Sequence, residues 1–348
     1  MNAAEKSVTG LVVSTTNNIS KILCEDGIER LCAIKGKRIK TLSGTYNSLA
    51  VGDVVEVALT DGGKGLVENL SPRRNTFGRY NEKGKSEQAI AANVDQVFCV
   101  TSPRFPPFRP RFIDRVAVLA ESAGVPFIVT LNKADLGIDE ETEERLAGYA
   151  SLGYTVLRVS AKTGEGMDGI TKLLTGRTSV FAGQSGVGKS SLLNTLFPDV
   201  LRRTQEVSEK YDRGKHTTTM AQMTIAGTTK VIDTPGIRRL ALRSPGLEAL
   251  PSCFPEIFRF SGGCRYGSRC THTDEEGCEV REAALRGDIH EDRYESYLRI
   301  RDELDVPETW KKPGNRNPGR AERAFSARRK TTGKFSLKDH DAEREDTW

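Results

Sequence analysis

Apolar and polar positions change rhythm twice along the 348 residues. Over residues 1–72, short alternating stretches (Val8–Thr15, Ile19–Cys24, Glu29–Ala33, Val54–Leu59 and Gly65–Leu70) are separated by polar turns such as Asn17-Asn18, Asp26-Gly27 and Asp61-Gly62-Gly63. Period-two alternation between turn residues predicts strands. Five strands in this length predict a small β-barrel of the OB or the SH3-like type, and OB barrels commonly bind RNA. Residues 73–93 are poor in apolar side chains and carry Arg73, Arg74, Arg79, Lys83 and Lys85, which predicts a basic linker. From residue 94 strands and helices alternate. Strands are expected at Val94–Thr101, Pro126–Leu131, Tyr154–Val159 and Ser179–Ala182, and helices from Pro110, from about Asp139, after Gly166 and over Gly188–Phe197. Pro suits the first position of a helix. With a hairpin at Met220–Ala226 and Lys230–Ile232, residues 94–243 predict a doubly wound α/β domain. Residues 244–310 lack strand signals and predict a mostly helical domain ending in a helix near Asp292–Glu303, followed by a tail at 311–348.

Composition narrows the setting. Hydrophobic residues make up 37% of the chain and charged residues 28%, the balance of a globular protein. No run of about 18 apolar residues predicts a membrane span, and the start, MNAAEKSVTGLVV, lacks the basic-then-apolar pattern of an export leader. A cytoplasmic protein is expected, and a monomer is the simpler oligomeric state. The seven cysteines include Cys264, Cys270 and Cys278 close together, which points to a reduced compartment and a metal site more than to disulfides. The net charge of +5 is unevenly placed: residues 311–338 hold ten Lys or Arg and one acid, Glu322, whereas the last ten residues hold five acids and one Arg. Such a basic run is either a solvated, disordered segment or a nucleic-acid contact, since each phosphate neutralised releases counterions.

Between an expected strand and an expected helix lies Gly183-Gln184-Ser185-Gly186-Val187-Gly188-Lys189-Ser190, followed by Ser191. Its glycines let backbone N–H groups turn onto phosphates at a helix N-terminus. Lys189 is expected to bridge the β- and γ-phosphates, and Ser190 to ligate magnesium. Asn132-Lys133-Ala134-Asp135 follows a buried strand. Asp135 can accept hydrogen bonds from the ring N–H and the amine of guanine, a donor pair that adenine lacks. Lys133 is expected along the base plane, and Asn132 as a tie to the phosphate loop. Ser160-Ala161-Lys162, at a further strand end, matches the segment whose backbone N–H meets the guanine carbonyl, so the nucleotide is GTP. In an ordinary GTPase the phosphate loop comes first. Here the base-reading motif precedes it, the order of a circular permutation.

Asp233-Thr234-Pro235-Gly236 follows the apolar Val231-Ile232. Asp233 is expected to hold magnesium through water, and the Gly236 N–H to touch the γ-phosphate. Next stands Ile237, which cannot orient an attacking water, so intrinsic hydrolysis is expected to be slow. His216-Thr217-Thr218-Thr219 lies where a first switch belongs. Thr217 or Thr218 is expected to ligate magnesium. His216 is a candidate for positioning water or assisting proton transfer, or else an exposed loop residue or RNA contact. Cys264, Cys270, His272 and Cys278, spaced C-x5-C-x-H-x5-C, suit one structural tetrahedral zinc. Cys253 is a weaker fifth candidate, and Cys24, Cys32 and Cys99 suit strand cores.

This ordered set resembles the RsgA (YjeQ) family of ribosome small-subunit-dependent GTPases over about residues 5–305; Arg73-Arg74-Asn75 and Phe112-Ile113-Asp114-Arg115 also look like that family. The resemblance implies an OB domain (1–72), a circularly permuted GTPase domain and a zinc domain. It also implies late maturation of the small ribosomal subunit, through its rRNA, with hydrolysis stimulated by the subunit and the GDP form released. Two other classes remain: an RNA-binding assembly factor whose hydrolysis is incidental, and a switch acting on a protein away from ribosomes. A hydrolysis-deficient variant that still supports maturation marks the first. Salt-insensitive binding to a protein without RNA marks the second.

Overall fold

The computed structural model describes residues 7–16, 19–34, 39–40, 46–47, 49–60, 63–81, 86–198, 221–234, 240–242 and 244–305. His216, Thr217, Thr218, Gly236, Ile237 and the basic tail lie outside the described residues. The chain divides into two compact units, one of residues 1–109 and 123–238, the other of 110–122 and 239–348.

The first unit begins with the barrel. Strands β1 (Ser7–Thr15), β2 (Ile19–Cys24) and β3 (Glu29–Ala33) run antiparallel in sequence, and β6 (Val54–Thr60) and β7 (Lys64–Leu70) follow a two-residue pair, β4 (Ile39–Lys40) with β5 (Tyr46–Asn47). β7 lies parallel to β3, and β6 closes back onto β1, so the five long strands form a closed barrel. That closure, with the third and fifth strands parallel, is OB topology and resolves the choice left by the alternation. Alternate positions turn inward: Val8, Val12, Ile22, Cys24, Cys32, Val55, Val57, Val67 and Leu70 form the core.

Two strands stand where the sequence predicts only a linker. β8 (Thr76–Asn81) and β9 (Ser86–Ala92) pair antiparallel, with Phe77, Ala91 and Ala92 buried. The charged stretch between them masks a short alternating pattern. Nor are the first arginines free basic charge. Arg73 grips the buried Asp53 through Nε and Nη2, both at 2.7 Å, and Arg74 donates to Asp95 at 2.8 Å.

Beyond the hairpin come β10 (Gln96–Thr101), β11 (Phe127–Leu131), α2 (Glu140–Ser151), β12 (Thr155–Arg158), α3 (Met167–Leu174), β13 (Thr178–Gly183), α4 (Lys189–Leu196), β14 (Gln222–Ala226) and β15 (Thr229–Asp233). The order β12-β11-β10-β13-β15 is parallel throughout, with β14 antiparallel at its edge. β10 and β11 are buried along their whole length, as strands of a sheet covered on both faces must be. Asp139 caps α2 by accepting from the Thr142 N–H at 2.8 Å. β14 also meets β1 at Gln222 and Ser14, so barrel and α/β sheet are continuous.

The second unit holds α1 (Pro110–Ser122), α5 (Pro255–Ser261), α6 (Glu279–Arg286) and α7 (Glu291–Asp305), with no strand among its described residues. The sequence assigns α1 to the α/β domain, whereas it groups with this unit. The cause is a buried ion cluster. Arg293 of α7 donates to Asp114 of α1 at 2.7 Å and to Glu256 of α5 at 2.6 Å, with its guanidinium over the Phe254 ring. Ser296 donates to the second Asp114 oxygen at 2.5 Å. No described helix is long and apolar enough to cross a membrane. Removing one partner of a buried pair leaves a desolvated charge behind, so Asp114→Ala is expected to cost about 3 kcal/mol, read as a lower urea midpoint at unchanged slope.

Candidate functional site

The loops after β11, β12 and β13 leave the same edge of the parallel sheet, where ligands of such sheets bind. Asn132 is buried and joins all three. Its Nδ2 donates to Val187 O at 2.9 Å, its Oδ1 accepts from the Ala161 N–H at 3.1 Å, and its own N–H donates to Thr101 O at 2.8 Å. The following residue, Lys133, is left-handed (φ 63°, ψ 34°), which turns the chain into the short helix Ala134–Leu136. Asp135 is anchored by the Ser160 hydroxyl at 2.7 Å and faces the Lys162 ammonium at 4.0 Å. Ser160 in turn accepts from the Thr163 N–H. These groups surround a cavity of about 210 Å³ lined by Asn132, Lys133, Asp135, Leu136, Ala161, Lys162, Gly188 and Ser191. Leu136 is a lining residue that the motifs do not include.

The phosphate loop spans the end of β13 and the start of α4. Gly188 caps α4 at φ 91°, and a Cβ there would lie 2.3 Å from Asn132 Nδ2, so only glycine fits. Lys189 Nζ donates to Gly183 O at 2.8 Å and to Gln184 O at 3.2 Å. Burial lowers its pKa, opposed by the charge of Asp233. Asp233 ends β15, directly beside β13. Burial pushes its carboxyl up to about 6, with Lys189 drawing it partly back. Its Oδ1 is buried without a hydrogen-bond partner. An orphaned carboxylate oxygen beside the phosphate loop fits a hard, oxygen-preferring cation such as magnesium, with the exposed Ser190 at the first turn of α4 as a second donor.

In the second unit the four predicted zinc ligands converge. The donor atoms of Cys264, Cys270, His272 and Cys278 lie within 4.8 Å of one another, and all four residues are buried. Cys264 Sγ is 3.5 Å from His272 Nδ1 and 4.0 Å from Cys278 Sγ, and Cys278 Sγ is 3.8 Å from His272 Nδ1. A tetrahedron with Zn–S bonds of about 2.3 Å has edges of about 3.8 Å, so the donor set fits zinc. Cys253 lies outside the cluster. The fully buried Tyr294 and Tyr297, which the motif does not announce, donate from α7 to the His272 and Thr271 carbonyls at 2.9 and 3.0 Å and brace the knuckle.

A P-loop α/β sheet whose phosphate-loop strand follows the strand of the base-reading motif, flanked by an OB barrel, defines a circularly permuted GTPase. The chain belongs to the RsgA GTPase family, whose model matches residues 70–243. It is 40% identical over 302 residues to the small ribosomal subunit biogenesis GTPase RsgA of Porphyromonas gingivalis, covering 84% of this chain and 95% of that protein. The crystal structure of YjeQ from Thermotoga maritima aligns with a TM-score of 0.64 at 33% identity, over 86% of this chain and 99% of that one. YloQ, described as a circularly permuted GTPase, aligns with a TM-score of 0.62 at 26% identity, over 88% and 99%.

Two outcomes are expected. Full-length protein purified without chelator should contain one zinc, and Cys278→Ser should lose it together with the cooperative unfolding of the second unit, followed by metal analysis and thermal melts. Because the folded-state carboxyl of Asp233 is raised to about 6, protons compete with magnesium below that pH. The magnesium affinity of the GDP complex should therefore fall by up to about tenfold per unit as the pH drops below 6, as measured by titration.

Proposed function

We propose that this protein hydrolyses GTP in the biogenesis of the small ribosomal subunit, binds that subunit through its rRNA, and is stimulated and then released by it. The observation that carries the proposal is the cavity at which Asp135, fixed by Ser160, meets the phosphate loop through the Asn132 clasp. Family membership supports GTP chemistry, and the names of the relatives support the ribosomal setting.

Guanine presents its ring N–H and amine to Asp135, while the Lys133 stem lies along its plane. A backbone N–H of the Ser160-Ala161-Lys162 segment meets the guanine carbonyl. Backbone N–H groups of Gln184 to Ser190 receive the phosphates, and Lys189 carries its charge to the β- and γ-oxygens. Ser190, Asp233 (through water) and Thr217 or Thr218 would hold magnesium, which would supply positive charge to the phosphate oxygens. Gly236 senses the γ-phosphate. Ile237 supplies no group to orient water, so His216 is the candidate that completes the site on the small subunit. The OB barrel, the zinc unit and the basic tail supply the rRNA contacts, and the protein acts as a cytoplasmic monomer.

The test is GTP turnover with and without purified small subunits. Small subunits should raise turnover at least about 100-fold, large subunits should not, and His216→Ala should lose most of the stimulation, about 100-fold. Ser190→Ala should abolish turnover. A His216→Ala protein as active as wild type on small subunits would remove the histidine from the mechanism.

A further inference from the structure

Lys133 is restrained more firmly than the base-reading motif requires. Its stem lines the cavity, and Cε lies 3.8 Å from the position of a Cβ on Gly188. Its ammonium donates to two carbonyls, Gly186 O at 2.6 Å and Phe105 O at 2.5 Å. Gly186 belongs to the phosphate loop. Phe105 belongs to the segment that follows β10, which carries none of the nucleotide motifs.

Phe105 is unusual in two respects. Its φ of 51° lies in the left-handed region that aromatic residues rarely enter, and the residue is 80% exposed. Packing of the ring therefore does not account for the backbone. The backbone is instead held by two hydrogen bonds, with Pro106 beside the phosphate loop. The Ser102 hydroxyl donates to Pro106 O at 2.8 Å. Pro106 Cδ stands 3.5 Å from the Cβ position of Gly186. The Phe105 carbonyl itself accepts from Lys133. A disfavoured backbone conformation persists only where its surroundings over-determine it, and such residues collect at ligand clamps.

We infer that the turn Ser102–Pro106 is a positioning element for the bound nucleotide: the left-handed Phe105 aims its carbonyl at the Lys133 ammonium and so lays the lysine stem across the base site. The inference rests on reading the cavity as the guanine site, and it adds a second acceptor, on a separate segment, to the one in the phosphate loop. Without it the ammonium keeps only Gly186 O, the stem gains rotational freedom, and the nucleotide leaves faster. Differences of this kind appear mainly in dissociation rates.

The experiment follows release of methylanthraniloyl-GDP from the full-length chain after addition of excess GDP. Phe105→Gly removes the ring but tolerates positive φ; Phe105→Val also removes the ring but opposes it, because its Cβ is branched. Phe105→Val should release the nucleotide about five- to tenfold faster than wild type, the scale of one charge-assisted hydrogen bond, and Phe105→Gly should stay within about twofold. In a Lys133→Met background Phe105→Val should add nothing further, since the two act through one contact. The inference is overturned if Phe105→Val matches wild type, if Phe105→Gly is as fast as Phe105→Val, or if the Phe105→Val and Lys133→Met effects add. A wild-type chain that retains no methylanthraniloyl-GDP overturns the guanine reading of the cavity as well.

Discussion

The carboxamide of Asn132 is the contact on which the site depends. Buried at the end of β11, it joins the loop after β13 through Val187 O and the loop after β12 through the Ala161 N–H. An aliphatic residue of the same volume would leave both groups unpaired, and the buried Val187 carbonyl alone would then cost about 1–3 kcal/mol. The bonds run sideways, between neighbouring strand ends, and not along the chain. Their geometry is indifferent to which strand is synthesised first. That is why a nucleotide pocket survives permutation: the sheet order is preserved and only the connections are redrawn.

Redrawn connections leave their mark elsewhere. β14, at the edge of the α/β sheet, meets β1 of the barrel at one residue pair, Gln222 with Ser14, which joins the two sheets at that end of the strand. Helix α1 follows β10 in sequence, yet its buried acid is satisfied inside the second unit. Asp114 has Arg293 and Ser296 as partners, and Arg115 donates to Leu240 O at 2.9 Å and to Glu303. Glu303 also accepts from the Leu242 N–H. One stretch of helix thus carries both an acid and a base whose partners are supplied far along the chain.

Features written in strict spacing or simple alternation were legible from the sequence: the five barrel strands, the phosphate loop, the base-reading tetrapeptide and the C-x5-C-x-H-x5-C knuckle. Features that depend on a distant partner were not. Arg73 and Arg74 read as free basic charge because Asp53 and Asp95 stand about twenty positions away. The β8–β9 hairpin was hidden because only Phe77 and a few alanines mark its buried face. The membership of α1 was invisible for the same reason as its ion cluster, whose partners lie 179 and 182 positions apart. Backbone acceptors such as Phe105 O leave no trace in side-chain patterns at all.

The phosphate loop shows how side chains set the polarity of a backbone. Lys189 takes the carbonyls of Gly183 and Gln184, Lys133 takes that of Gly186, and Asn132 takes that of Val187 and, at 3.5 Å, that of Gly188. In a planar trans peptide the N–H points opposite to the C=O. Capturing the carbonyls of these residues therefore also fixes the directions of the N–H groups of Gln184, Ser185, Val187, Gly188 and Lys189. A row of such N–H groups is what an anion requires. The glycines at 186 and 188 permit the torsions, with φ of 85° and 91°, but permission is not direction. Direction comes from two ammonium groups and one carboxamide, two of which belong to the base-reading tetrapeptide. Asn132 and Lys133, which line the cavity proposed as the base site, thus also hold the carbonyls of the loop proposed as the phosphate site, so the two are one construction.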